Sequence, residues 1–188
     1  FTASATTTGA YLTRTTDSLK NVLAPGKLTV EVKEPGWQEK SGEAVLPKES
    51  RTKNPLVKNT GTLDSWMFLE VNIPIRRISL VDENTKRKQP EGETELFRFR
   101  INAGWELIEK TRTGNDMHYV YGWKEMVAPT KQTGTLFDSI TMVPYLEGSL
   151  NDKEVYQIRV TAKAIQKNIA PAGTGMKDLY QIYLSNQK

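Results

Sequence analysis

A chain of 188 residues with 26 basic and 22 acidic side chains, net charge +4, is long enough to bury one sizeable core. It has no cysteine, which excludes disulfide staples and thiolate metal sites, and no apolar run long enough to cross a bilayer. Basic residues are interspersed with acids, as in Asp82-Glu83-Asn84-Thr85-Lys86-Arg87-Lys88, a solvated pattern and not a nucleic-acid-binding stripe.

The opening stretch, Phe1-Thr2-Ala3-Ser4-Ala5-Thr6-Thr7-Thr8-Gly9-Ala10, begins without Met, and Ser, Thr, Ala and Gly crowd it to about residue 18. It reads as the processed N-terminus of an exported chain. It holds too few large side chains for a core of its own, while its threonines suit extended backbone. It is either a disordered tail or a strand that lays itself into another molecule's sheet. Residues 1–20 are therefore set apart from a single domain spanning 21–188. A short helix is expected over Asp17–Leu23, ended by Pro25-Gly26.

From there period-two alternation dominates. Leu28, Val30 and Val32 alternate with Thr29, Glu31 and Lys33, and Phe97, Phe99 and Ile101 with Arg98, Arg100 and Asn102. Tyr156, Ile158, Val160, Ala162 and Ala164 repeat the pattern. Each places apolar side chains on one face of a strand, as antiparallel sheets with one buried face require. Ser65–Ile73 and Met117–Trp123 are apolar on both faces, so central strands under a covering layer are expected there. Glu34-Pro35-Gly36, Asn59-Thr60-Gly61, Gly114-Asn115-Asp116 and Gly148-Ser149 supply the turns. The expected fold is all-β: a jelly-roll-like antiparallel β-sandwich with short peripheral helices, one near the C-terminus. That helix is predicted from Met176, Leu179, Tyr180, Tyr183 and Leu184, with Thr174 as N-cap, closing one end of the sandwich.

No catalytic or metal constellation emerges. His118 is the only histidine, which excludes multi-histidine metal sites within one chain, and no Gly-x-Ser-x-Gly elbow accompanies it. Glu91, Glu93 and Glu95 share one strand face in a polar stretch, where solvation keeps carboxylates ordinary. Gly173-Thr174-Gly175 lacks the Lys and βαβ context of a phosphate cradle. Four tryptophans, Trp37, Trp66, Trp105 and Trp123, keep sugar binding open, with core packing the commoner use. The expectation is a protein without catalytic residues, metal or other cofactor.

Several segments together resemble the TasA/camelysin-like proteins of Gram-positive bacteria. Lys53-Asn54-Pro55-Leu56-Val57-Lys58-Asn59-Thr60-Gly61 followed by Trp66–Pro74 is the longest similar stretch. Leu28–Val32 with Glu34-Pro35-Gly36-Trp37, Gly104-Trp105-Glu106-Leu107, Tyr119-Val120-Tyr121, Leu136-Phe137-Asp138-Ser139 and Ala162–Gln166 follow in order. Ala10-Tyr11-Leu12-Thr13 resembles the family's Ala-Tyr-Phe-Thr stretch near its processing site; Phe1–Gly9 precedes that stretch and departs from the pattern. The resemblance, over roughly residues 10 to 184, implies a jelly roll, secretion, and assembly into biofilm-matrix fibres by donor-strand addition. Some relatives are described as metalloproteases, but the ligands for that activity have no counterpart here.

The resulting expectation is a secreted, extracellular structural subunit that polymerises head to tail. Its donor strand would comprise Phe1, Ala3, Ala5, Thr7, Ala10, Tyr11 and Leu12, with small side chains in a narrow groove and Phe1 or Tyr11 as anchor. Its partners would be copies of itself, with other matrix proteins or polysaccharide in attendance, and neither nucleic acid nor a membrane span. A monomeric surface adhesin or carbohydrate-binding module is the second reading, and a camelysin-type secreted protease the third.

Overall fold

A computed structural model describes residues 26–37, 45–151 and 153–186. The strands are β1 Val30–Lys33, β2 Ser50–Thr52, β3 Leu56–Asn59, β4 Ser65–Ile78, β5 Gly92–Glu95, β6 Phe97–Phe99, β7 Trp105–Thr113, β8 Asp116–Trp123, β9 Ser139–Met142 and β10 Arg159–Gln166. A 3-10 turn at Lys167–Ile169 and helix α1, Met176–Ser185, follow. Every pairing among these strands is antiparallel.

The larger sheet runs β10-β4-β8-β7, with β5 on the far end of β4. The facing layer is built on one long antiparallel run. Residues 48–59 lie along 130–142 through Lys48 N to Met142 O, Thr52 opposite Ser139, Leu136 N to Pro55 O, and Asn59 N to Lys131 O. β6 flanks this run on one side through β9, and β1 on the other through β3. The chain passes between layers at Leu96, whose N–H donates to Pro74 O while its carbonyl accepts from Val143 N. The architecture is an all-β sandwich, as the alternation predicts.

β4 explains why the sandwich has a third layer. Met67, Leu69, Val71 and Ile73 point between the sheets into a core with Val57, Phe97, Phe137, Ile140 and Met142. Phe68 points the other way and joins Val120 and Ile165 in a second apolar cluster. An outward apolar cluster of this kind must be covered, since each fully buried side chain of this size is worth about 1.5–3 kcal/mol. Met176, Leu179, Tyr180 and Tyr183 of α1 supply the cover. The helix thus lies on the outer face of the larger sheet instead of closing an end of the sandwich. Gly122 permits the approach, because a Cβ there would stand 2.7 Å from Met176 Cε. Thr174 is not the N-cap: Gly175 holds that position without a side-chain bond, and the Thr174 hydroxyl donates to Pro171 O at 2.7 Å.

Candidate functional site: an open seam between two sheet edges

Among the described residues β7 is the outer strand of the larger sheet and β6 the outer strand of the smaller one, so each is paired there on one side only. They are consecutive in the chain, joined by residues 100–104, yet they belong to different layers. The result is a splayed hairpin whose arms are not hydrogen-bonded to each other. Beyond its open end, long side chains of β5 and β7, both strands of the larger sheet, meet. Lys110 Nζ lies 2.9 Å from Glu95 Oε1, and Arg112 donates to both oxygens of Glu93. Each step of two forward in β5 matches a step of two back in β7, the register of an ordinary antiparallel pair.

Nearer the turn, no ion pair crosses among the described residues, and an open groove of about 750 Å³ takes its place. Phe97, Phe99, Ile101, Leu107, Tyr119 and Tyr121 line it. Phe99 packs edge-on against Tyr119 and Tyr121 and lies 4.7 Å, centroid to centroid, from Phe137. Ile101 and Leu107 stand 37% and 47% exposed, large apolar side chains in solvent at the rim. Exposed apolar surface rimmed by charge marks a contact site more often than chance.

A bulge in β7 phases the rim. Pairing with β8 slips between Leu107, opposite Tyr121, and Glu109, opposite Val120. In an unbroken strand Leu107 and Lys110 would point to opposite faces; the extra residue brings both onto the seam. Ile108, between them, packs beneath α1 instead. Exposed ion pairs contribute little to stability, so the Glu93 and Glu95 pairs align β5 with β7 within the larger sheet more than they stabilise it. The hydrogen bond and charge of Arg112 hold the Glu93 carboxyl below its ordinary range. Lys110 is held charged well above its usual pKa, by the Tyr119 hydroxyl first and the Glu95 carboxylate second. Tyr119 in turn donates to Glu95, and burial raises its own pKa.

The remaining candidates are spread apart. His118 Nδ1 is 2.7 Å from Asn72 Oδ1, its cross-strand neighbour. No group of three or more His, Asp or Glu side chains among the described residues could hold a metal. Glu91, Glu93 and Glu95 each face a cation, Arg77, Arg112 and Lys110. None of the four tryptophans lines the groove; Trp105 is buried and donates from Nε1 to Gly134 O. Phe1, Ala3, Ala5, Thr7, Ala10, Tyr11 and Leu12 lie outside the described residues, as does Asp17–Leu23. No helix among the described residues is long and apolar enough to cross a membrane.

The seam itself escapes sequence reasoning, although its two halves are visible there. Glu93-Thr94-Glu95 and Lys110-Thr111-Arg112 are mirror charge patterns at equal spacing. β5 and β7 belong to the same sheet without pairing to each other, and their meeting depends on tertiary placement that alternation alone does not supply. No family model, curated protein or solved structure matches this chain.

Proposed function

We propose that the protein is a structural subunit of an extracellular fibre, polymerising head to tail as its N-terminal segment adds a strand to the next copy. The observation that carries this reading is the seam: two adjacent sheet edges without a partner strand among the described residues, flanking a groove with an apolar floor. Unpaired edges of this kind invite β-augmentation, in which main-chain hydrogen bonds supply affinity and side-chain pockets supply register. Because donor and acceptor are different surfaces, the contact is heterologous and propagates. The Ser/Thr/Ala-rich start and the resemblance to TasA/camelysin-like proteins support the same reading, and secretion follows from it.

Electron microscopy of the purified chain beside a version lacking residues 1–12 tests the proposal. Filaments from the full chain and folded monomers from the shortened one are expected. Filaments from both would move the contact elsewhere. Monomers from both would overturn the reading in favour of a monomeric adhesin.

A further inference from the structure

We infer that the outer face of the smaller sheet, with the cavity beside Arg100, binds a carboxylate-bearing polysaccharide, a polyuronate. The site uses side chains that point away from the core, and it is open to a single chain and to a fibre alike. Phe97 of β6 and Ile140 and Met142 of β9 belong to the core. Successive side chains of a strand alternate, so Arg98 of β6 and Ser139 and Thr141 of β9 point outward. Register sets Arg98 opposite Thr141 and Thr141 opposite Ser50, while Ser139 stands opposite Thr52. Arg100 follows Arg98 by two residues, about 7 Å along the same side. It lines a cavity of about 410 Å³ together with Asn102, Asp138 and Ser139. Ser50, Thr52, Arg98, Arg100 and Ser139 are all exposed.

The two arginines call for an anion. Arg51, Arg76, Arg77, Arg112 and Arg159 each pair with a carboxylate of this chain. Arg98 and Arg100 pair with none among the described residues, although both stand on a regular strand face. A guanidinium presents parallel N–H donors that match the two oxygens of a carboxylate. Two of them at this spacing can each take a carboxylate from one extended polymer.

The cavity calls for hydrogen-bond donors as well, which narrows the anion to a sugar. The Asn102 amide nitrogen donates to Thr135 O, Thr135 Oγ1 and Asp138 Oδ1, and Thr135 Oγ1 donates to Asp138 Oδ1. Asn102 Oδ1 and Asp138 Oδ2 accept no bond among the described residues. Asp138 repels a ligand that carries only negative charge, whereas sugar hydroxyls can donate to both of these oxygens. An acidic sugar therefore supplies the anion and the donors together. Ser50, Thr52, Ser139 and Thr141 continue the hydroxyl surface beside the arginines, with Ser50 Oγ 2.7 Å from Thr141 Oγ1. No aromatic side chain occupies these register positions to stack a nucleobase, and no large apolar one to anchor a protein.

Calorimetric titration of the full chain with polygalacturonate tests the site, beside dextran as a neutral glycan and polyphosphate as an anion without sugar hydroxyls. Binding of polygalacturonate in preference to both is expected. Arg98→Ala and Arg100→Ala together should weaken it about tenfold or more, with thermal unfolding unchanged because both side chains are exposed. Arg87→Ala with Lys88→Ala removes the same charge from an exposed loop and should leave binding as it was. Asp138→Asn should weaken binding, since it exchanges a charged acceptor for a neutral one. No binding of polygalacturonate, or equal binding of polyphosphate, would overturn the inference. So would equal losses from the two double variants, or tighter binding by a folded Asp138→Asn chain, either of which would reduce the effect to net charge.

Discussion

The ammonium of Lys53 stands 2.7 Å from Glu34 Oε1 and 4.4 Å from the centre of the Trp37 ring, with Lys53 only 5% exposed. Around this pair, Gly36 N donates to Asn54 Oδ1 at 2.8 Å and Lys53 N to Asp138 O at 3.2 Å. The turn after β1 is thereby tied to the link between β2 and β3 and to the start of β9. Three segments distant in sequence meet at one cation because a desolvated ammonium needs both a counter-charge and a polarisable face.

Removing one partner of that pair should cost more than removing the charge altogether. Glu34→Ala leaves the Lys53 ammonium buried beside Trp37 without its carboxylate, and a loss of about 3 kcal/mol is expected. Lys53→Met keeps the apolar stem against Trp37 and should cost less, although it leaves Glu34, itself partly exposed, to water. Urea unfolding of both variants checks the order. A Lys53→Met chain weaker than Glu34→Ala would show that the ion pair, and not the avoidance of a stranded charge, is what the fold depends on.

Asn59 is fully buried, and each polar atom of its side chain is engaged. Its Nδ2 donates to Leu63 O and Val127 O at 2.8 Å, and its Oδ1 accepts from Gly61 N at 3.0 Å. Asn59→Ala should leave Gly61 N without its partner, at about 1–3 kcal/mol where water cannot reach it, while Leu63 O and Val127 O keep their bonds from Ser65 Oγ and Ser65 N. Gly61 is equally constrained, because a Cβ there would stand 2.2 Å from Lys27 O. Both substitutions should lower the unfolding midpoint and loosen β1 from β3. Hydrogen exchange at Thr60 N, which donates to Thr29 O, reports that loosening directly.

How far such features are legible in the chain itself depends on whether they are local. Alternation in Val30–Lys33, Phe97–Phe99 and Arg159–Gln166 marks strands because a strand's two faces are written in neighbouring residues. The two-faced run Ser65–Ile73 also calls for a covering layer, which α1 supplies. What covers what is not local: the same stripe of Met176, Leu179, Tyr180 and Tyr183 would serve to close an end or to lie on a sheet face. Only the outward Phe68, Val120 and Ile165 decide between them. The N-cap is missed for a similar reason: the helix begins one residue later than the polar-before-apolar pattern suggests, so Gly175 and not Thr174 holds the cap position. The seam is the least legible feature, because two antiparallel strands adjacent in sequence have the pattern of an ordinary hairpin. Their separation follows from β5 and β6 lying on different layers, which no run of neighbouring residues encodes.

Gly104 ends the link between β6 and β7 and should be sensitive to a single methyl group. Its φ is +91°, a conformation that disfavours side chains, and a Cβ there would lie 2.4 Å from the Trp123 ring. Trp123 meets Trp105 at 5.3 Å, edge to face, so displacement of one ring disturbs the other. Gly104→Ala should destabilise by about 1–3 kcal/mol and change the near-ultraviolet circular dichroism of the tryptophan pair. An unchanged spectrum with a lowered midpoint would assign the cost to the backbone alone.

Alkali should test how tightly α1 is seated. Burial raises the Tyr180 phenol first, and its hydrogen bond to Glu70 Oε1 at 2.8 Å raises it further. Tyr183, stacked on it at 5.8 Å, is pushed up to about 12 by burial and by the charge of Glu70. In the unfolded chain both phenols ionise near 10, the unperturbed tyrosine value. Above that pH the unfolded state releases protons that the folded state keeps. The stabilisation is thus fully present below pH 10 and is lost as pH rises from there through the folded values. Phenolate absorbance should show these two residues silent near pH 10 and appearing only as the fold is lost. Tyr183→Phe removes one such proton and should shift alkaline unfolding to higher pH. Tyr180→Phe does the same but loses its bond to Glu70, lowering stability at neutral pH by about 1 kcal/mol. Free titration of both phenols near pH 10 in an intact fold would mean that the helix leaves the sheet readily, and that the cover over Phe68 is not a fixed part of the fold.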